Sequence, residues 1–463
     1  MPDSPTIDPS GVSTVAEVAY APKPAAAAVR RSFMRQLMHD TFVQKGAKVG
    51  ITWVVVLAFF GCFAPLIANS HPIVIVEKNG NWSSPIWQSL SPVDLTLIAL
   101  ALCIFITAVI RRTKFIDMAI SIVATVIIVA PLAYALKSSP DAVNYQKYRD
   151  LERSGSVQFM LRTLIPFSPT DRMRDMPEHR LRGPLATRTI ATVTLHDGVQ
   201  IVGNVEPIKD GYEIKMQGPV RTVTNAEVKS IDYQGFRYWH WLGTEVDGAD
   251  LLSRMIHASR IALSIGLIST TISVCTGIFI GGLMGYFVGW VDLLGMRLVE
   301  IFEAIPALLV LITVMVIFGR DIYLMMMVLG MLSWTGTARF VRAEFLKLRQ
   351  QDFVQAAVAV GLPKWRVIFR HIVPNGLTPV LVTATFGVAS AILTESTLSF
   401  LGLGLIDEPS WGSMLNQARS GGTGFVWWMA IFPGFAIFLT VYAYALIGDA
   451  MRDALDPKLK KRE

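Results

Sequence analysis

IALSIGLISTTISVCTGIFIGGLMGY, residues 261–286, is the stretch on which the fold turns. It carries no charged side chain and exceeds the roughly 20 residues a helix needs to cross the hydrocarbon core of a bilayer. Seven further apolar runs lie at 50–68, 93–110, 118–136, 298–318, 322–337, 377–397 and 428–447. Eight spans in one chain predict an all-α polytopic membrane protein. Composition agrees: of 463 residues 52% are hydrophobic and 17% charged, with a mean hydropathy of +0.47. A soluble domain carries about 25% charged residues.

Orientation follows from basic residues beside the spans, which are retained on the cytoplasmic side. Arg30, Arg31, Arg35, Lys45 and Lys48 precede the first span, Arg111, Arg112 and Lys114 join the second to the third, and Arg339, Arg342, Lys347, Arg349, Lys364, Arg366 and Arg370 follow the sixth. Lys458, Lys460, Lys461 and Arg462 follow the last span. With an even span count all four clusters share one side, which places both termini in the cytoplasm. The Pro-, Ala- and Ser-rich first 30 residues lack an apolar core and read as a disordered tail rather than an export signal. Residues 29–48 mix apolar and basic side chains at helical spacing; they read either as an amphipathic helix on the inner membrane face or as a loose basic leader.

Residues 138–240 then lie outside. Within them, 189–231 alternates apolar and polar residues in short segments broken by Asp197-Gly198 and Gly218-Pro219. Period-two patterning between turn residues predicts four or five strands, a small β-rich insertion resembling SH3-like or Sm-like barrels. It reads either as a decoration or as a docking surface.

The most informative cytoplasmic segment is Gln355-Ala356-Ala357-Val358-Ala359-Val360-Gly361, with His371-Ile372-Val373-Pro374-Asn375 beyond it. Small Ala356 and Ala357 allow another surface to approach closely, and Gly361 allows a sharp reversal between two helices. The segment resembles the EAA loop of the inner-membrane permeases of ATP-binding-cassette importers. Upstream, 243–254 (GTEVDGADLLSR), 285–292 (GYFVGWVD), Met296-Arg297 and Pro306 occur in order. Downstream come 395–404 (ESTLSFLGLG), 409–412 (PSWG) and 448–457 (GDAMRDALDP). Together they resemble the C-type subunit of the dipeptide and oligopeptide permeases, from Trp241 to the end and in the first span with its basic leader.

That resemblance implies a type I importer-like core and a division of labour. A second permease subunit would complete a heterodimer, two ATP-binding-cassette ATPase subunits would use ATP and Mg, and an extracytoplasmic binding protein would deliver substrate. The chain itself would bind no cofactor, and the setting would be a bacterial inner membrane. The coupling loop would comprise Gln355, Ala356, Ala357, Gly361 and Pro374. Departures are Gln355 for the usual Glu, Val373-Pro374 for Leu-Pro, Glu245 and Ala249 for the usual Asp and Arg, and an extra pair of spans. The expected organisation is therefore a cytoplasmic tail (1–49), three N-terminal spans (50–137), the external region (138–240), and a permease core (241–463) whose coupling loop occupies 339–375.

Glu395 falls inside an apolar run, where an ionisable group is costly unless paired or wet; it reads as a pathway or gating residue, or as a carboxylate bonded to a neighbouring helix. Glu300 and Glu303 beside Pro306 read as snorkelling to the cytoplasmic interface. Residues 398–405 read as a re-entrant or interfacial turn, and Trp411, Trp427 and Trp428 as an outer aromatic belt. Several classes of function are excluded. There is no Gly-x-x-x-x-Gly-Lys-Ser/Thr phosphate loop, and the three cysteines and seven scattered histidines offer no catalytic or metal-ligand spacing. The basic excess of 42 over 35 marks a membrane face rather than a nucleic-acid surface. A second reading is a non-transporting membrane scaffold or sensor whose external β domain binds a partner. Substrate is open between a peptide and a metal chelate.

Overall fold

An apolar run inside a bilayer must satisfy its own backbone hydrogen bonds, and only a helix does so within one segment. The computed structural model describes residues 39–109, 115–136, 144–174, 180–185, 190–215, 220–233, 240–405, 408–420 and 424–455. Within them lie α1 (Lys45–Ile67), α2 (Pro92–Val109), α3 (Phe115–Leu136), α4 (Lys147–Arg153), α5 (Leu251–Phe287), α6 (Gly289–Ala304), α7 (Ala307–Phe318), α8 (Ile322–Arg349), α9 (Asp352–Ala359), α10 (Lys364–Val367), α11 (Val373–Phe400), α12 (Trp411–Ser420) and α13 (Trp427–Leu455). Residues 29–38 of the 29–48 segment, the basic turn at 111–114 and the basic tail at 458–462 fall outside the described residues.

The expected eight spans are met in part. Five helices, α1, α5, α8, the Pro379–Phe400 part of α11, and α13, are long and apolar enough to cross a membrane. The expected straight span at 298–318 is corrected: α6 and α7 meet at 71° and count together as at most one broken span. Pro306 causes the break, because its nitrogen has no proton to donate and its ring blocks the preceding turn. Two shorter apolar helices, Pro92–Thr107 and Ile120–Ala135, occupy the region of the extra pair.

The core is built on close helix contact. A Cβ on Gly281 of α5 would lie 2.3 Å from the Ala338 carbonyl oxygen of α8, and one on Gly285 would lie 2.6 Å from Phe345 Cβ. Small residues four apart bring two backbones together, and dispersion then holds them without help from water. A second layer joins α1, α5, α11, α12 and α13 through Leu57, Leu263, Ile392, Met414, Trp411 and Tyr444. Trp411 is buried there and donates from Nε1 to the Met255 carbonyl at 3.3 Å, which corrects its expected place in an aromatic belt. The turn expected over 398–405 begins only at Leu401, since α11 continues through Phe400. Outside this bundle α2 is tied to α5 by the Asp94–Arg260 ion pair.

Two sheets lie between the spans. β1 (Val74–Glu77), β2 (Trp82–Ser83) and β3 (Val157–Leu161) pair in the order β2-β1-β3. Strands β4 (Ile190–Leu195), β5 (Gln200–Ile208), β6 (Gly211–Lys215), β7 (Arg221–Thr224) and β8 (Val228–Tyr233) form a second sheet in the order β7-β6-β5-β4-β8. The last strand returns to pair with the first. Val193, Leu195, Ile201, Val205, Ile214 and Val223 supply its apolar core.

Candidate functional site

Two features of the bundle carry functional geometry: a helical hairpin beyond α8 and a polar cavity between α5, α8 and α11. The hairpin begins where α8 outruns its apolar part and ends in a basic turn with Lys347 and Arg349. Helix α9 follows, with Asp352 in its first turn where the helix dipole favours an acid. Val354 and Ala357, one helical turn apart, face inward onto Phe345, Leu348, Val367, Ile368 and Ile372. Gln355 and Ala356 are exposed, beside Val358 at 54% and Val360 at 81% exposure. Of the two small residues read as leaving room for a partner, only Ala356 faces outward.

Gly361 closes α9 in a left-handed turn at φ +81. Its N–H donates to the Val358 carbonyl at 2.9 Å, and the Leu362 N–H donates to the Ala357 carbonyl at 3.2 Å. This is the Schellman pattern, in which glycine takes the left-handed position at no steric cost. Pro363 then starts α10, and five residues, Ile368–Ile372, wind as a π-turn into α11. Pro374 follows, exposed, at the start of α11. A proline ring clashes with the carbonyl four residues back, and the wider π-turn relieves that clash at Arg370.

The end of α8 that leads into the hairpin is joined to α6 by ion pairs. Arg342 of α8 holds Asp292 of α6 through both Nε and Nη2, the latter at 2.6 Å. Arg339 Nη2 lies 2.5 Å from Glu303 Oε2, and Arg297 Nη1 lies 2.5 Å from Glu300 Oε2. Glu300 and Glu303 are therefore paired rather than only reaching for the interface. At the start of α6, Val288 takes φ 55 and ψ −169, a backbone region nearly restricted to glycine.

The cavity, about 320 Å³, is lined by Ser269, Thr270 and Ser273 of α5, Ser333 and Thr337 of α8, and Thr383 and Ser390 of α11. No ionisable side chain lines it. Ser333 and Thr383 turn their hydroxyls back to carbonyls of their own helices at 2.8 Å. The Ser269 and Thr270 hydroxyls are buried and have no hydrogen-bond partner among the described residues. Burying an unpaired hydroxyl is unfavourable, so both groups would gain a bond if the packing around them opened toward the cavity.

Glu395 stands apart from this cavity. Its Oε1 accepts from Ser399 Oγ at 2.7 Å and its Oε2 from Ser396 Oγ at 3.3 Å, and it is 1% exposed. It sits where α11 meets α12, at a contact so close that a Cβ on Gly412 would lie 2.2 Å from the Ser396 carbonyl oxygen. The hydroxyl-lined cavity is the feature the sequence reading missed. Its signal was present as Ser269, Thr270, Thr271 and Ser273 grouped within one otherwise apolar run.

Residues 277–461 match the family described as binding-protein-dependent transport system inner membrane component. The dipeptide transport system permease protein DppC of Alkalihalophilus pseudofirmus is 37% identical over 231 residues, 49% of this chain and 75% of that protein. The oligopeptide transport system permease protein OppC of Haemophilus influenzae is 41% identical over 222 residues, 48% of this chain and 71% of the other. Among solved structures, the inward-facing MetNI methionine ABC transporter aligns at 17% identity over 44% of this chain and 98% of its own, with a TM-score of 0.38. By the extent and identity of the match to DppC and OppC, the chain belongs to the dipeptide and oligopeptide family of binding-protein-dependent inner-membrane permeases.

Proposed function

We propose that the chain forms half of the translocation pathway of an ATP-driven importer of dipeptides and oligopeptides. The hydroxyl-lined cavity carries this reading. A peptide presents amide donors and acceptors along its backbone whatever its side chains, and uncharged hydroxyls bond such groups without selecting for charge. Ser269 and Thr270 are the residues assigned to meet them, while Glu395 fastens α11 to α12.

In this reading a second permease subunit completes the pathway, two separate ATPase subunits hold ATP and Mg, and a binding protein delivers substrate from outside. The chain holds no cofactor and catalyses no reaction of its own. The exposed ridge of Gln355, Ala356 and Gly361 sits on an ATPase subunit, with Ala357 packed behind it and Pro374 at the entry to α11. When the ATPases close, α9 transmits their displacement to α8 and α11 through Val354 and Ala357, and to α6 through the Arg339 and Arg342 ion pairs. Alternating access follows as these helices reorient about the cavity.

The division into tail (1–49), first spans (50–137), external region (138–240) and core (241–463) belongs to the same proposal. So do cytoplasmic termini and a bacterial inner membrane. The test is peptide uptake by proteoliposomes holding the chain with its ATPase and permease partners. Ser269→Val with Thr270→Val should lower uptake severalfold while leaving the complex assembled; unchanged uptake would remove the cavity from the pathway.

A further inference from the structure

A groove of about 460 Å³ runs along the outside of the bundle between α1 and α13. One wall repeats at positions 49, 52, 53 and 56 of α1, the other at 439, 442, 443 and 446 of α13. Each set follows the i, i+3, i+4, i+7 rhythm of a single helix face. These faces look away from the packed core. Leu57 of α1 and Ala436, Ile437 and Tyr444 of α13 turn inward into one buried cluster, whereas Val49, Val56 and Tyr442 are exposed.

The groove is preformed. Its two helices touch closely beneath it, where a Cβ on Gly50 would lie 2.5 Å from the Ala443 carbonyl oxygen. Trp53 Nε1 donates to Thr440 Oγ1 at 3.2 Å across the same contact, which satisfies the indole and fixes its ring in the wall. The Tyr442 ring stacks on Phe438 with centroids 5.8 Å apart. Thr52 Oγ1 donates to the Lys48 carbonyl at 2.7 Å, so its hydroxyl is spent within α1.

Positive charge sits at one end of this apolar surface. Lys48 lines the groove where α1 begins, and Lys45, three residues earlier, is exposed on the same helix. Neither lysine makes an ion pair among the described residues. Beyond Leu446, α13 carries two acids. Asp449 lies 3.8 Å from Arg452 of its own helix, and Asp453 is seven residues past Leu446, about 10 Å further along the axis at 1.5 Å per residue.

We propose that the groove binds one anionic phospholipid, with an acyl chain between α1 and α13 and its phosphate at Lys48 and Lys45. Both helices are long and apolar enough to cross a membrane, so the groove faces hydrocarbon. Lipid tails are as apolar as leucine, and filling the groove with one gains little by itself; selection falls to shape and headgroup. From Lys48 to Val56 the groove runs about 12 Å, most of the roughly 15 Å depth of one hydrocarbon leaflet. A transmembrane helix of a partner would run past both ends of so short a groove, whereas a lipid of one leaflet matches its length and its single charged end. Basic sites between spans recognise anionic headgroups in this way. The site rests on the membrane placement of the family and not on the transport reading.

The test uses the full chain with the subunits that accompany it, in nanodiscs of equal parts phosphatidylglycerol and phosphatidylcholine with matched acyl chains. Retained lipid is counted by native mass spectrometry. One phosphatidylglycerol should be retained in preference to phosphatidylcholine. Lys48→Gln should lower that preference about fivefold, the effect of one lysine beside an anionic lipid. Val49→Trp, which fills the groove from an exposed position, should lower retention of phosphatidylglycerol severalfold while leaving the subunits assembled. Equal retention of the two lipids by the wild-type chain, or retention unmoved by either variant, overturns the proposal. So does lipid held by the isolated chain but absent from the assembly, which would give the groove to a partner's helix.

Discussion

Replacing Gly361 by alanine perturbs one backbone position and almost nothing else. A Cβ there meets no atom within 4 Å, so no steric clash contributes. The cost is conformational: at φ +81 an L-residue is destabilised by about 1–2 kcal/mol. Two hydrogen bonds, Gly361 to Val358 and Leu362 to Ala357, depend on that turn. A shift of this size raises the population of the opened turn by about 5- to 30-fold. Hydrogen exchange on the full chain in nanodiscs reads this directly in peptides covering residues 352–367. Gly434→Ala, in a helix with its nearest neighbour at 4.0 Å, is the control and should leave those peptides unchanged. In proteoliposomes with its partners, Gly361→Ala should lower uptake per ATP hydrolysed, and the bulkier Gly361→Trp should abolish the coupling. Exchange within twofold of wild type, or normal uptake by a correctly inserted Gly361→Trp protein, would refute the reasoning.

Gly281→Leu places a side chain where even a Cβ lies 2.3 Å from backbone, and should lower stability by about 1–3 kcal/mol or more, seen as a fall in melting temperature. Val288→Gly should remove about 1–3 kcal/mol of backbone strain between α5 and α6, offset in part by glycine's greater unfolded-state entropy; a lower melting temperature than wild type would contradict the strain. Asp94→Asn leaves Arg260 without its ion-pair partner and should loosen α2 from α5, measured as faster proteolysis of the α2–α3 segment. His71 lies outside the spans, and burial holds its ring below the usual histidine range. The folded state therefore binds fewer protons than the unfolded, and stability is lost as pH falls through about 6.5 and below. His71→Gln should flatten that part of the stability–pH curve, and an unchanged slope would rule the residue out.

Long-range periodicity was legible, and local geometry was legible where a single residue type dictates it. The apolar run around residues 261–286 predicted α5, and Gly361 marked a reversal that the structure places at the end of α9. The break at Pro306 was written in the sequence as well, but a mostly apolar run on either side reads as one span when length alone is counted. What could not be read depends on which faces meet. Ala356 and Ala357 are identical in composition, yet one is exposed and the other packs on Phe345 and Ile372, because α9 turns 100° per residue and only the fold says which face is inner. Trp411 carries an indole suited to a membrane interface, but its burial follows from the close approach of α12 to α11. The cavity hydroxyls come from three helices, and the buried Arg149–Asp171 ion pair joins two residues of the 138–240 region that no motif links. Neither has a spacing that a sequence displays.

The central claim is that the α9 hairpin seats an ATPase subunit. Its most direct test is purification of the full chain in mild detergent from a host producing its partners, with the subunits identified by mass spectrometry. ATPase subunits should co-purify with the wild-type chain and be lost from Ala356→Trp, which blocks an exposed position without disturbing the helix core. Reproducible absence of an ATPase subunit from the wild-type complex, or its undiminished retention by Ala356→Trp, would contradict the account.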